Sequence, residues 1–317
     1  MVARSFTLLV AGVLILLLLQ VPARGQQSAR AWTDVVRNAT LAIGIPRSAK
    51  ISDKGGTPVE KQIFAPIGTG ALFGLPDDPS KMPWLVTAKH VLFDPEQKWD
   101  PDVVRVRFAW FDKQSVEDYL GVEIALKKDG RRLWTPHPDP SVDLAALPLR
   151  LPSKVVGRES IDIIPLGNFA SGDDLFEGAG VLVFGYPGAV GSSFWTRALV
   201  RSGVIAWLDP NTPLEAPLLI DAAVFPGNSG GPVFRIPTGS DRFGNFSLGG
   251  RPAFVGIVSQ GRREATPVSA GGKHVEMQGP EGSVKMVSEG WIGVGVIEPA
   301  NRVLQLLNAA RSASAPK

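Results

Sequence analysis

Thirty-five glycines and 27 prolines are spread through the 317 residues and cut the apolar content into short runs. Both residue types are poorly tolerated inside long helices, Gly for its backbone entropy and Pro for its missing N–H. Short apolar runs bounded by such residues read as strands joined by turns, so the expected class is all-β. Candidate strands in the first half are 39–45, 67–73, 84–87, 103–110 and 144–149. A polar stretch at 151–160, with Pro152, Lys154 and Arg158, reads as a crossing between two halves. In the second half the candidates are 181–184, 198–207, 218–223, 232–234, 253–259 and 291–297. Pro299 then opens a helix whose Val303, Leu304, Leu306 and Leu307 form an apolar face. Polar insertions at 235–251 and 262–290 read as long loops.

The N-terminus carries Arg4, an apolar run from 6 to 19, and Val21-Pro22-Ala23-Arg24-Gly25. This is the layout of a secretory signal peptide over residues 1–25, and the run is short for a membrane-spanning helix. The expected location is therefore outside the cytoplasm, periplasmic or extracellular, with membrane contact only if the segment stays uncleaved. Its removal takes away two arginines and no acids, which brings the formal charge from +3 to +1. A nearly neutral chain without a basic stripe gives no reason to expect a nucleic-acid partner. The absence of cysteine excludes disulfides, thiolate chemistry and cysteine-bound zinc, so stability has to come from packing.

Chemistry is concentrated in Pro226-Gly227-Asn228-Ser229-Gly230-Gly231-Pro232. Glycines on both sides leave one serine hydroxyl and the nearby amides accessible, as a nucleophile and an oxyanion hole require. The serine needs a base, and only His90, His137 and His274 are available. His90 follows the apolar stretch Trp84-Leu85-Val86-Thr87, where a fixed imidazole can sit. Asp143 opens the apolar run Leu144-Ala145-Ala146-Leu147 and can orient that imidazole. His137 lies between prolines and reads as structural or exposed, and His274 as a polar loop residue.

In the order His90, Asp143, Ser229, with these contexts, the sequence resembles the trypsin-like serine peptidases, closest to the bacterial HtrA-like branch. Gly68-Thr69-Gly70-Ala71-Leu72-Phe73, Val183-Phe184-Gly185-Tyr186-Pro187 and Gly256-Ile257-Val258-Ser259-Gln260-Gly261 add to the match. The resemblance implies two antiparallel six-stranded β-barrels, at 31–152 and 153–298, with the active site in the cleft between them. A C-terminal helix at 299–311 follows, with too few residues after it for a PDZ module. The implied activity is peptide-bond hydrolysis by a His90, Asp143, Ser229 triad, with the N–H groups of Gly227 and Ser229 as oxyanion hole and no cofactor or metal. Ser259 matches the donor to the triad carboxylate, and the strand Val258 to Gly261, with Ser259, Gln260 and Gly261 as substrate-binding residues, matches the one that pairs with a polypeptide substrate. Ala223 falls at the base of the specificity pocket. With no acid there, and Val258 where a glutamate-specific branch has histidine, small or medium apolar residues are expected at the cleaved position. Gly293 and Gly295 are candidates for leaving a pocket wall open. Asn228, where peptidases activated by a new N-terminus have aspartate, implies a site that needs no such step.

Two other readings remain at this stage. A catalytically silent peptide-binding module would keep the same cleft. An α/β-hydrolase esterase would use Ser229 in a Gly-x-Ser-x-Gly elbow with His274 as base, although Pro232 and Val233 oppose the helix that must follow such an elbow.

Overall fold

Short apolar runs do become strands. The computed structural model describes residues 31–52, 58–75, 82–111, 117–153, 161–188, 197–247, 249–267, 269–270, 273–274, 276–279, 282–285 and 287–314. The segment read as a signal peptide, 1–25, lies outside the described residues, as does most of the expected crossing stretch, 154–160. From Trp32 on, the chain forms one unit.

Its first half is a single curled sheet. The strands are β1 (Thr40–Ser52), β2 (Pro58–Gly74), β3 (Trp84–Thr87), β4 (Val103–Phe111), β5 (Glu117–Ala125), β6 (Thr135–Pro136), β7 (Ala145–Pro148) and β8 (Ile164–Pro165). Their order is β5, β4, β1, β2, β3, β7, β6, with β8 pairing parallel to β2. The expected two-barrel fold holds, and the first barrel is a curled half-barrel: an eight-stranded sheet whose edges do not pair among the described residues. Long β1 and β2 pair along their whole length, from Thr40↔Ala71 to Ser52↔Pro58. The ribbon so formed runs past the core, and its far end is exposed at residues 58–62.

The second half closes into a six-stranded barrel. It consists of β9 (Gly180–Gly185), β10 (Leu199–Trp207), β11 (Leu218–Asp221), β12 (Pro232–Arg235), β13 (Ala253–Pro267) and β14 (Val287–Pro299), closed in the order β9, β10, β11, β14, β13, β12. Much of the insertion at 262–290, expected as a loop, is strand among the described residues. Ladder pairing of β13 with β14 continues to Pro267↔Val287, because backbone hydrogen bonding asks only for extended conformation. Small hairpins occur within both insertions, pairing Gly239↔Ser247, Ser269↔His274 and Glu276↔Lys285.

Each terminal helix of the described residues packs on the opposite half. Helix α1 (Trp32–Asn38) precedes the first sheet, yet the Trp32 ring lies 6.2 Å from Phe184 and 6.1 Å from Phe234 of the second barrel. A single turn, α2 (Lys89–Leu92), follows β3. Helix α3 (Ala300–Ser314) follows the second barrel and buries Val303, Leu306, Leu307 and Ala310 in the same core as Val142, Leu144 and Leu147 of the first half. A chain of rings joins the two cores: Phe73 to Phe254 at 5.1 Å, Phe254 to Phe234 at 5.5 Å and Phe234 to Phe184 at 6.2 Å. Edge-to-face and tilted contacts of this kind add about 0.5–1.5 kcal/mol each beyond area burial.

Candidate active site

Antiparallel pairing brings His90 and Asp143 together. Because Thr87 of β3 faces Ala145 of β7, the residues just after β3 and just before β7 emerge at the same end of the pair. His90 leaves on α2, and its Nδ1 stands 2.7 Å from Asp143 Oδ2, while its backbone N–H donates to Asp143 Oδ1 at 3.0 Å. Lys89 braces the segment around the acid, with Nζ donating to the carbonyls of Pro140 at 2.7 Å and Val142 at 3.2 Å. From the second barrel, Ser259 Oγ donates to Asp143 Oδ2 at 2.7 Å. Burial works against the charged imidazole, but the hydrogen bond and charge of Asp143, aided by the charge of Asp94, outweigh it and raise His90 above its ordinary 6.5.

Ser229 sits on a turn packed against the same strands. Its carbonyl accepts the N–H of Thr69 at 2.8 Å, and Thr87 Oγ1 donates to the carbonyl of Thr69 at 2.6 Å. A Cβ at Gly230, whose φ is +88°, would fall 1.9 Å from Thr69 O and 2.2 Å from Thr87 Oγ1, so only glycine lets the turn approach this closely. Gly230 N–H and Val258 N–H exchange bonds with Val258 O and Gly231 O at 2.7 and 2.9 Å, which fixes the turn one residue from Ser259. Asn228 N–H bonds Phe225 O at 3.0 Å with Gly227 at φ +95°, a turn whose third position requires glycine. Across this segment the amides of Asn228, Gly230 and Gly231 are taken, and those of Gly227 and Ser229 have no partner among the described residues. Ser229 Oγ likewise has no hydrogen-bond partner among the described residues.

Thr69 was not singled out by sequence reasoning. Its hydroxyl accepts the N–H of Tyr186 at 3.0 Å and donates to Gly227 O at 2.7 Å, so that carbonyl is held by the first sheet. Its middle place in Gly68-Thr69-Gly70 was the only available signal. Asn228 is 1% exposed, in a place where a carboxylate would be an unpaired buried charge.

Around the expected specificity pocket, Ala223 is exposed and its carbonyl accepts Arg201 Nη1 at 2.7 Å. The Arg201 guanidinium lies 4.7 Å from the Phe225 ring centroid, and burial lowers its pKa. Gly295 leaves no open wall. A Cβ there would meet Val224 Cγ2 at 2.7 Å and Ile220 Cγ1 at 3.3 Å, so its space is filled by packing. Gln260 is exposed and Gly261 half-buried on β13, opposite Val296 and Gly295. His137 is buried and structural: its Nδ1 accepts Asp139 N–H at 3.1 Å, which leaves Nε2 as the donor to Gln305 Oε1 of α3 at 3.2 Å. The esterase reading is overturned, because Ser229 is followed by strand β12 in an all-β fold, and no strand-to-helix elbow exists there.

A barrel and a curled sheet meeting at such a site define the chymotrypsin fold. Residues 68–240, more than half of the chain, match the model of the trypsin-like peptidase domain, and the chain belongs to that family. Among solved structures it is similar to Rv3671c from M. tuberculosis H37Rv, in the inactive form of a serine-to-alanine mutant. That likeness has 16% identity over 88% of this chain and 90% of that one, with a TM-score of 0.39. No curated protein matches the chain.

Proposed function

We propose that this chain is an exported serine endopeptidase. The observation that carries the reading is an imidazole held 2.7 Å from a carboxylate, at the end of a strand against which a serine turn packs with two amides that have no partner among the described residues. His90 Nε2 takes the proton of Ser229 Oγ as the hydroxyl attacks the scissile carbonyl, and returns it to the leaving amine. Asp143 keeps the proton of the neutral ring on Nδ1 and stabilises the imidazolium. The N–H groups of Gly227 and Ser229 receive the oxyanion. Gln260 and Gly261 offer backbone groups to an extended peptide.

The cleaved residue is apolar and small or medium in size. Ala223 supplies no acid for a Lys or Arg side chain, and its carbonyl is taken by the guanidinium of Arg201. A peptide library checks this, and a preference for Lys or Arg at the cleaved position contradicts it. Export is checked by sequencing the N-terminus of the mature protein, expected to begin after Gly25; a chain retaining its first residues overturns cleavage.

A fluorophosphonate probe tests catalysis itself. Wild-type protein is expected to be labelled, and Ser229→Ala and His90→Ala are not. Folded wild-type protein that stays unlabelled replaces the peptidase by a silent peptide-binding module.

A further inference from the structure

Glu298 is a buried carboxylate that the steps above leave unused. It stands next to last in β14, is 4% exposed, and faces Ile257 across the ladder, two residues before Ser259. Its Oε2 accepts Arg302 Nη1 at 2.7 Å, from the first turn of α3. Its Oε1 accepts the backbone N–H of Asp143 at 3.3 Å.

We propose that Glu298, held by Arg302, is a positioning residue for Asp143. This rests on the peptidase reading for its effect on rate, and on geometry alone for its effect on Asp143. Asp143 lies just outside β7, so no ladder bond fixes its amide. Its carbonyl is held by Lys89 N–H at 3.2 Å from the first half of the chain, and its N–H by Glu298 from the second. Strands β13 and β14 therefore grip one residue twice, Ser259 at its carboxylate and Glu298 at its amide. With the backbone pinned at both polar groups, the carboxylate can serve His90 N–H and Nδ1 together, an alignment sensitive to shifts well below 1 Å. A buried carboxylate without a counter-charge would be costly at this place, and Arg302 supplies one. The helix that closes the molecule thus reaches the acid of the site through a single side chain.

The proton shared by His90 Nδ1 and Asp143 gives a low-field NMR signal that reads this alignment directly, assigned with 15N-histidine. In Glu298→Leu the signal is expected to vanish or broaden, and kcat to fall about 10- to 100-fold with KM unchanged. Glu298→Gln keeps an acceptor for the amide and retains the signal. In an Asp143→Asn background, Glu298→Leu has little further effect on kcat, because it acts through the acid. If Glu298→Leu does not fold, Arg302→Met frees the carboxylate and is expected to broaden the same signal. An unchanged signal in the folded variant, a wild type without the signal, or an equal fall in the Asp143→Asn background each overturns the inference. A wild type that shows the signal but hydrolyses nothing sinks the peptidase reading instead, and leaves the NMR test of Glu298 standing.

Discussion

At the scale of single residues, the proposed mechanism makes His90 the source of the pH dependence. Hydrolysis needs the neutral ring, and Asp143 raises its pKa against the effect of burial, so kcat/KM is expected to rise along an acid limb centred above 6.5. Asp143→Asn removes the two larger raising contributions and leaves burial opposed only by the charge of Asp94, which moves the limb to lower pH; loss of the correct tautomer lowers kcat by about 10⁴-fold. Rate profiles of both proteins check the two shifts. The linked effect on stability has the opposite direction: the charged ring stabilises the fold below 6.5, and that contribution is lost as pH rises through the raised pKa. Gly227→Ala places a Cβ 2.4 Å from Tyr186 O at a φ of +95°, so the turn must rearrange and misdirect its amide. A fall of about 10²–10³ in kcat is expected, read with a small activated ester. His90, Asp143 and Ser229 were proposed from the sequence because each stands in a telling local context, and the structure pairs the first two. Thr69 and Glu298 were not, since a hydroxyl on Gly227 O or a carboxylate on the amide of Asp143 exists only after remote segments have met.

At the scale of elements, helix α3 is held by an apolar stripe on one side and polar links on the other. Leu306 is fully buried, and Leu306→Ala is expected to cost about 2–5 kcal/mol in denaturant unfolding. Gln305 and Asn301 reach Glu215 at 3.2 and 3.0 Å, but these contacts are exposed and add little. Strands with dense apolar content were legible: β3 spans the expected 84–87, and β9 and β12 extend one residue or so beyond expectation. Strand β5 (Glu117–Ala125) was missed, with Glu117, Asp118, Gly121 and Glu123 diluting its pattern. The far ends of β1, β2, β13 and β14 were missed for the same reason, because a two-stranded ribbon needs no buried face to keep its ladder.

At the scale of the whole molecule, one apolar core spans parts of both halves, and the second barrel adds a cluster of its own. Phe254 is fully buried and touches Phe73 at 5.1 Å, Phe169 at 4.8 Å and Phe234 at 5.5 Å. Calorimetry is expected to show one unfolding transition for both halves, and Phe254→Ala to lower stability by about 3–5 kcal/mol without splitting it. Two separate transitions would contradict a common core. The number of barrels was legible as a pair of strand sets; the openness of the first was not, since closure depends on edge pairing that no local pattern encodes.

The crossed ends carry a consequence for anyone who cuts this chain. With Trp32 seated on the rear half and Leu306 on the front one, a break near residue 153 leaves each fragment owing its partner a helix and a phenylalanine face. Neither piece can hide that surface by itself, so co-expressed fragments are built to reassemble as a two-chain protein, and a fragment made alone is built to aggregate.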